Sequence, residues 1–221
     1  MRKIFIIMLT LGLSLSSLTG LNVKAANNEE NVPEIVDGTN MSLQEIDELL
    51  SSSTEYTIEL SDQQVAEQYA LKEGVSLEEA YKAVAGYSSQ KNKLGTLAAS
   101  SCSWLATNTS VTIKNKSYKP NLIVYVEICR SGAQYINTNK KPLLQEFQAN
   151  AISFSGTISV ELFNGHFYYI VNGNFYNSTS TTHTGTTGVT TVFSATYSVG
   201  STSNYYASLT TSRTKRDVLG Y

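Results

Sequence analysis

The stretch "VELFNGHFYYIVNG", residues 160–173, is typical of two strands joined by a tight turn. Asn164 and Gly165 are typical of a two-residue type I′ turn, in which both residues adopt positive φ. That turn sets the pairs that face each other across the strands: Phe163 with His166, Leu162 with Phe167, Val160 with Tyr169, and Ile158 with Val171. The last three pairs are apolar and share one face. The stretch therefore predicts an antiparallel hairpin with one face in a core.

His166 is one of two histidines in the chain, and it lies beside this turn on the face directed away from the core. A catalytic His needs a group that orients it or exchanges its proton, and Glu161 is the nearest carboxylate on that face. We interpret His166 as a hairpin residue. His183 lies in the Ser/Thr/Gly-rich stretch 177–188 with no Cys or carboxylate beside it, whereas a metal site needs three or four clustered ligands. We expect no metal and no cofactor.

Period-two alternation recurs after residue 101 and indicates further strands. It is clearest in "NLIVYVEIC" (121–129) and "GVTTVFSATYSVG" (188–200), with shorter candidates at 110–115 and 204–211. β-branched and aromatic residues dominate, and no helical pattern lies between these stretches. About seven short strands of this kind are typical of an antiparallel β-sandwich. Residues 94–221 are therefore predicted to form an immunoglobulin-like or jelly-roll-like β-sandwich domain.

The preceding region is predicted to be helical, because three capping boxes begin apolar runs of helical spacing. They are formed by Ser42 with Glu45, Ser61 with Gln64, and Ser76 with Glu79. In each, the Ser oxygen accepts from a backbone N–H, and the side chain three residues later reaches back to the Ser N–H. Gly74 is placed to end the second helix in a left-handed conformation. Residues 27–38, which include Pro33 and Gly38, indicate a flexible leader before the helices.

The stretch "AEQYALKEGVSLEEAYKAV", residues 66–84, resembles the helical pairs in pro-regions of secreted bacterial hydrolases. This resemblance implies that the acidic helical region 26–93 is a pro-region. The polar stretch 88–100 indicates a linker accessible to proteases. A DNA-binding helix-turn-helix is the competing interpretation, and the acidity of the region argues against it.

The N-terminus indicates export. Arg2 and Lys3 precede an apolar run at 4–18, and a small-residue cleavage site follows at 23–26. These are the parts of a secretory signal peptide, assigned to residues 1–25. No other stretch approaches the ~20 apolar residues of a membrane helix. We therefore expect a secreted protein.

Cys102 and Cys129 are the two cysteines. An even count in an exported chain predicts a disulfide. It would stabilise the fold by about 3–4 kcal/mol in the chain-entropy model. The alternative, a catalytic Cys paired with His166 or His183, lacks a recognised signature around either Cys.

Formal charge divides between the two regions. Residues 26–93 carry fourteen Asp or Glu and four Lys, a sum of −10, whereas residues 94–221 carry four Asp or Glu and nine Lys or Arg, a sum of +5. The regions would then attract each other, face different partners, or be solvated independently. Nucleic-acid binding is not expected, because +5 is modest and no recognition motif appears.

Tyrosines beside basic residues are the candidate binding surface, since Tyr rings and cations together suit glycans, anionic polymers or protein surfaces. The candidate ligand-binding residues are Tyr118, Tyr125, Tyr168, Tyr205, Tyr206, Lys116 and Arg130. Further basic side chains nearby in sequence are Lys114, Lys119, Lys140 and Lys141. The competing interpretation is that Tyr simply suits half-buried strand positions.

Three functions remain open. Our main hypothesis is a secreted, bacterial-type, non-enzymatic binding protein for a cell-envelope polymer, a host surface or a partner protein. The second is a membrane-active toxin or bacteriocin-like effector, suggested by the long Ser/Thr-rich segment 177–204, because alternating hairpins can line pores. The third is a small hydrolase that uses Glu127 and Glu161, which the alternation directs away from the core. No other catalytic motif appears. The oligomeric state is open.

Overall fold

The computed structural model describes residues 35–88, 101–131, 134–137, 141–148, 152–163, 165–177, 182–187, 193–198 and 205–218. These residues belong to a unit that spans Asn31–Tyr221. The fold is mainly β, and the described strands form two six-stranded sheets that are mostly antiparallel. None of the described helices is long and apolar enough to cross a bilayer.

Sheet A has the order β1-β2-β3-β4-β5, and β6 also pairs with β4. Its strands are β1 (Ile35–Asp37), β2 (Thr57–Leu60), β3 (Ser101–Ser110), β4 (Asn121–Ser131), β5 (Gln134–Asn137) and β6 (Leu144–Phe147). β1 and β2 are parallel, and the other pairs are antiparallel.

Sheet B has the order β11-β8-β7-β10-β9, and β12 also pairs with β8. Its strands are β7 (Ser153–Phe163), β8 (His166–Tyr176), β9 (Thr182–Thr187), β10 (Phe193–Ser198), β11 (Tyr205–Thr210) and β12 (Thr214–Asp217). The predicted hairpin register is confirmed, because Phe163 faces His166 and Val160 faces Tyr169. Gly165 has the positive φ, 74°, that the turn requires.

Three helices lie between strands of sheet A in the chain: α1 (Leu43–Ser51), α2 (Asp62–Glu73) and α3 (Leu77–Ser88). Each of the three predicted capping boxes is present, with the Ser hydroxyl accepting from a backbone N–H and the Glu or Gln side chain accepting from the Ser N–H. Gly74 ends α2 in the left-handed region with φ 67°. The capping chemistry therefore located these helix ends from sequence.

One apolar core contains side chains from both sheets. Alternate residues of β4 enter it, as the period of two predicted. Its members include Leu122, Val124, Val126 and Ile128 from sheet A, and Phe154, Ile158, Val160, Leu162, Phe167 and Val171 from sheet B. The buried face of the hairpin therefore shares a core with one face of sheet A.

The other face of sheet A is covered by α1, α2 and α3, which we call the helical layer. A second apolar core joins Ile46, Leu50, Val65, Ala80 and Val84 of the helices to Trp104, Ala106, Ile123, Tyr125 and Leu144 of the sheet. Sheet A is therefore buried on both faces, and this explains the nearly continuous apolar run of β4.

Two buried asparagines attach the end of α1 to sheet A. Nδ2 of Asn108 donates to the carbonyl oxygens of Leu50 at 3.1 Å and Thr54 at 3.0 Å. Nδ2 of Asn121 donates to the same Leu50 oxygen at 2.9 Å. Carbonyl groups at a helix end lack partners within the helix. The asparagines supply those partners and fix the helix against the sheet.

The N-terminal region also contributes strands. β1 lies within the stretch predicted to be a flexible leader, and β2 lies between two helices where no strand was predicted. β2 pairs with β3, with Ile58 facing Ala106. The predicted boundary between residues 93 and 94 therefore separates strands of one sheet.

The predicted disulfide between Cys102 and Cys129 is confirmed. The two residues face each other directly across β3 and β4, with Cα atoms 3.9 Å apart. The bond lies on the side of sheet A that the helical layer covers, since Cys129 follows Tyr125 and Glu127 in the alternation of β4.

Candidate ligand-binding site

The connection between β3 and β4, residues 111–120, is a braced loop. Its base closes through the Val111 amide, which donates to the Pro120 carbonyl oxygen at 2.9 Å. Its tip is a turn in which the Lys116 amide donates to the Ile113 oxygen at 3.2 Å and Asn115 adopts a φ of 62°. Val111 and Ile113 are buried in the core between the sheets. The loop therefore presents its polar side chains from a fixed base.

Lys116, Tyr118 and Tyr206 meet at this loop and form what we call the Lys–Tyr cluster. The Lys116 ammonium lies 4.5 Å from the centroid of the Tyr206 ring. The Tyr118 and Tyr206 rings pack edge to face with centroids 6.4 Å apart. Three of the seven candidate residues from the sequence are thus joined through contacts with Tyr206.

An irregularity in β11 directs Tyr206 toward the loop. Tyr205 faces Tyr176 across the strands, and Ala207 faces the next residue, Phe175, so Tyr206 is an extra residue in the register. Bulges of this kind turn a side chain out of the regular alternation. Tyr205 remains 57% exposed and packs edge to face with Tyr176. The adjacent residues Tyr205 and Tyr206 therefore contact different neighbours at the same end of β11.

The loop is cationic. Lys114, Lys116 and Lys119 are exposed, and within the described part of the chain none of the three forms an ion pair. Burial raises the pKa of Tyr118, and the adjacent Tyr206 raises it further. The Tyr118 phenol is therefore neutral near pH 7. Ammonium groups beside neutral aromatic rings can hold an anionic group and an apolar or sugar ring together.

Tyr168 lies elsewhere, on the face of sheet B directed away from the core. Its ring stacks on the Arg213 guanidinium, with Cζ 3.7 Å from the centroid. Arg213 also pairs with Glu161 at 2.9 Å. Sequence reasoning missed Arg213, because its partners lie about fifty residues earlier and meet it only when β12 pairs with β8. The Tyr168 ring therefore has one face already occupied.

Two further candidates do not belong to the cluster. The prediction of Tyr125 as a surface residue is wrong: it is 1% exposed, because the helical layer covers the face of sheet A that the alternation left open. Burial raises the pKa of Tyr125 well above its usual value. Arg130 is near the end of β4, opposite Tyr135, and its side chain lies outside the described part.

Glu127 and Glu161 are not brought together. Glu127 is buried beneath the helical layer and accepts a hydrogen bond from Ser88 Oγ at 3.1 Å. Glu161 lies on the outer face of sheet B with Arg213. The two carboxylates therefore lie on different sheets, and each has its own partner.

His166 has a carboxylate partner that the sequence did not reveal. Its Nδ1 pairs with Oδ1 of Asp217 in β12, and Lys215 Nζ contacts the same carboxylate at 2.9 Å. Burial raises the pKa of Asp217, but Lys215 and His166 outweigh burial and lower it. The three side chains form a partly exposed polar group between neighbouring strands.

A buried polar group lies between the helical layer and sheet A. Lys72 Nζ is 3.1 Å from Glu146 Oε1, and Gln68 donates to Asp47 at 3.2 Å. Burial raises the pKa of Glu146, Lys72 opposes the rise, and the carboxylates of Asp47 and Glu73 add to it. Glu146 is thus less readily ionised than an exposed Glu.

The remaining predictions concern a metal site, the Ser/Thr-rich segment 177–204, His183 and the signal peptide. Within the described residues, no three His, Cys, Asp or Glu side chains are grouped to hold a metal ion. Parts of the Ser/Thr-rich segment 177–204 form β9 and β10, which pair with each other, and β10 pairs with β7. His183 is in β9 opposite Tyr197, and its side chain lies outside the described part, as does the predicted signal peptide.

Comparisons of the chain with protein-family models, with curated proteins and with solved structures return no match.

Proposed function

We propose that this chain is a secreted, bacterial-type, non-enzymatic binding protein and that the Lys–Tyr cluster binds an anionic polymer of the cell envelope. The observation that carries the proposal is the contact of the Lys116 ammonium with the Tyr206 ring, beside Tyr118. Lys114 and Lys119 add two exposed cations on the same braced loop. A polymer with regularly spaced anionic groups would contact several of these cations at once.

The chemistry of the cluster suits binding better than catalysis. Its members are ammonium groups and phenols, and a neutral Tyr118 does not exchange protons readily near pH 7. The alternative partners from the sequence, a host surface and a partner protein, offer less regularly repeated negative charge. We therefore favour the polymer.

The proposal includes export and a β-sandwich. Export is supported by the signal-like residues 1–25 and by the Cys102–Cys129 disulfide, since such bonds persist in oxidising compartments. The sandwich, immunoglobulin-like or jelly-roll-like, is supported by the single apolar core that contains side chains of both sheets.

The test uses defined probes on the intact protein. Polyphosphate and polyglutamate should bind, and uncharged dextran should not. Binding should weaken with salt, because the Debye length shrinks from ~10 Å at 0.1 M to ~3 Å at 1 M. Equal affinity for dextran and the polyanions would contradict the proposal.

Vesicles separate this function from membrane attack. Phosphatidylglycerol vesicles loaded with a fluorescent dye should retain the dye in the presence of the protein, whether or not the protein associates with their anionic surface. Dye release at protein concentrations that saturate polyphosphate binding would favour the toxin hypothesis instead.

A further inference from the structure

The helical layer presents an exposed apolar surface on its outer side. Leu71, Val75, Leu77 and Tyr81 are 65%, 36%, 45% and 40% exposed, and they account for half of the large exposed apolar residues in the described part of the chain. They lie at the end of α2, in the turn around Gly74 and on the first turns of α3. We call these four residues the helical patch. Exposed apolar side chains that form a contiguous surface are typical of an interaction site.

Acidic residues lie close to the helical patch in the sequence. Glu73, Glu78 and Glu79 lie within or beside it, and Lys82, one turn beyond Glu78, pairs with that residue at 2.6 Å. Hydrogen bonds from the Ser76 hydroxyl and amide lower the pKa of Glu79, so its carboxylate is ionised well below neutral pH. A partner for this surface should therefore combine positive charge with apolar or aromatic groups.

The Lys–Tyr cluster of the same chain has that combination. Its loop carries Lys114, Lys116 and Lys119, the Lys116 ammonium lies over the Tyr206 ring, and the Tyr118 ring packs against that of Tyr206. In the described residues no ion pair joins this loop to the helical layer. The lysines of the loop and the four residues of the helical patch are all exposed in one copy.

We propose that copies of this chain associate head to tail, with the Lys–Tyr cluster of one copy docked on the helical patch of the next. The charges of the two regions, −10 and +5, have the polarity that this contact needs. Each docked pair keeps one unused patch and one unused cluster, so the contact is heterologous and adds further copies unless the arrangement closes into a ring. The proposal does not depend on polymer binding.

Sedimentation velocity of the intact protein tests the association. The mean sedimentation coefficient should rise with protein concentration at about 0.1 M salt, and the rise should disappear at about 1 M salt, where the Debye length is ~3 Å. Lys116→Gln and Tyr81→Lys should each remove most of the association. Lys215→Gln, which removes one exposed cation from β12, is the matched control and should associate like the wild type.

Mixing the two defective variants identifies the surfaces. Lys116→Gln retains an intact helical patch, and Tyr81→Lys retains an intact Lys–Tyr cluster. Their mixture should form complexes of two copies and stop there, because the remaining surfaces are both damaged. A monomer at every concentration and salt would overturn the proposal. Association that persists in both variants would also overturn it and would indicate contact through the sheets.

Polyphosphate distinguishes this proposal from the proposed function. If both hold, polyphosphate should dissociate the assemblies, since it competes for the same lysines. A monomeric protein that binds polyphosphate would overturn the association alone. An assembling protein that ignores polyphosphate would overturn the proposed function alone.

Discussion

His166 and Asp217 are in contact across neighbouring strands, with Nδ1 of the imidazole on Oδ1 of the carboxylate. Register explains the pair, because β12 aligns Asp217 directly opposite His166. Lys215 shares the carboxylate at 2.9 Å. Both partners are partly exposed, so we interpret the pair as a structural link between β8 and β12.

His166→Ala should therefore change polymer affinity by less than about two-fold and reduce the free energy of unfolding by about 1 kcal/mol or less, as is usual for exposed pairs. Urea denaturation and a binding titration measure the two quantities. Asp217 has a lowered pKa, so its stabilising contribution is present above its usual pKa of about 4 and is lost as pH falls below that value. A loss of binding by two orders of magnitude in a folded His166→Ala protein would refute the structural interpretation.

The disulfide should contribute substantially to stability. Cys102 and Cys129 are 27 positions apart. A disulfide that closes a loop of that length lowers the entropy of the unfolded chain, which stabilises the folded protein by about 3–4 kcal/mol. The Cys102→Ala/Cys129→Ala double variant should lose about that much free energy of unfolding in urea, without a change in polymer affinity. Equal stability of the oxidised protein and the double variant would contradict this.

Glu146 should make the free energy of unfolding rise, rather than fall, as the pH is lowered. Its pKa is raised in the folded protein, mainly by burial, so it takes up a proton at a higher pH when folded than when unfolded. The free energy of unfolding should therefore rise as pH falls through the folded-state pKa, above about 4.3. Glu146→Gln should lack this rise, and Lys72→Met should enhance it, because Lys72 lowers the pKa of Glu146. Parallel pH profiles of unfolding for all three proteins would disprove the assignment.

The contact of residues 35–88 with the strands that follow residue 100 should resist salt. Its core is apolar, and β2 adds backbone hydrogen bonds to β3. In the ion pair between Lys72 and Glu146, the acidic region 26–93 supplies the cation and the basic region 94–221 supplies the anion. This is the reverse of the attraction expected from the net charges of the two regions. After cleavage at a protease site placed in residues 89–100, we expect both fragments to elute together even at about 1 M salt, where surface charges are screened within ~3 Å.

Trp104 reports on that contact. It is the chain's one Trp, and it is 2% exposed beneath the helical layer, with its ring 5.1 Å from that of Tyr87. Its emission should remain blue-shifted after cleavage. Separation of the fragments, with a red shift, would instead favour a pro-region that leaves once it is cut.

Local chemistry explains which parts of the fold were predictable. Capping boxes at Ser42, Ser61 and Ser76 act within four residues, and the Asn164–Gly165 turn sets its own hairpin register, so both were readable from sequence. β2 was not, because its four residues lie between two capped helices and gain stability only by pairing with β1 and β3.

The candidate site was predictable in composition but not in arrangement. Lys116 and Tyr118 are close in sequence, whereas Tyr206 reaches them only because the register of β11 shifts at that residue. The burial of Tyr125 could not be predicted for a different reason. Alternation separated the two faces of β4, but only tertiary packing decided that helices cover the second face. The apolar run "LIVYV" around Tyr125 was the available signal of burial on both faces.

Isothermal titration calorimetry with polyphosphate measures whether the Lys–Tyr cluster is the binding site. A Lys beside an anionic surface contributes about 1 kcal/mol, so Lys116→Gln should weaken binding about five-fold at ~0.1 M salt. Lys215→Gln removes the same charge from sheet B and should bind like the wild type. Equal weakening by the two substitutions, or no weakening by Lys116→Gln, would contradict the account.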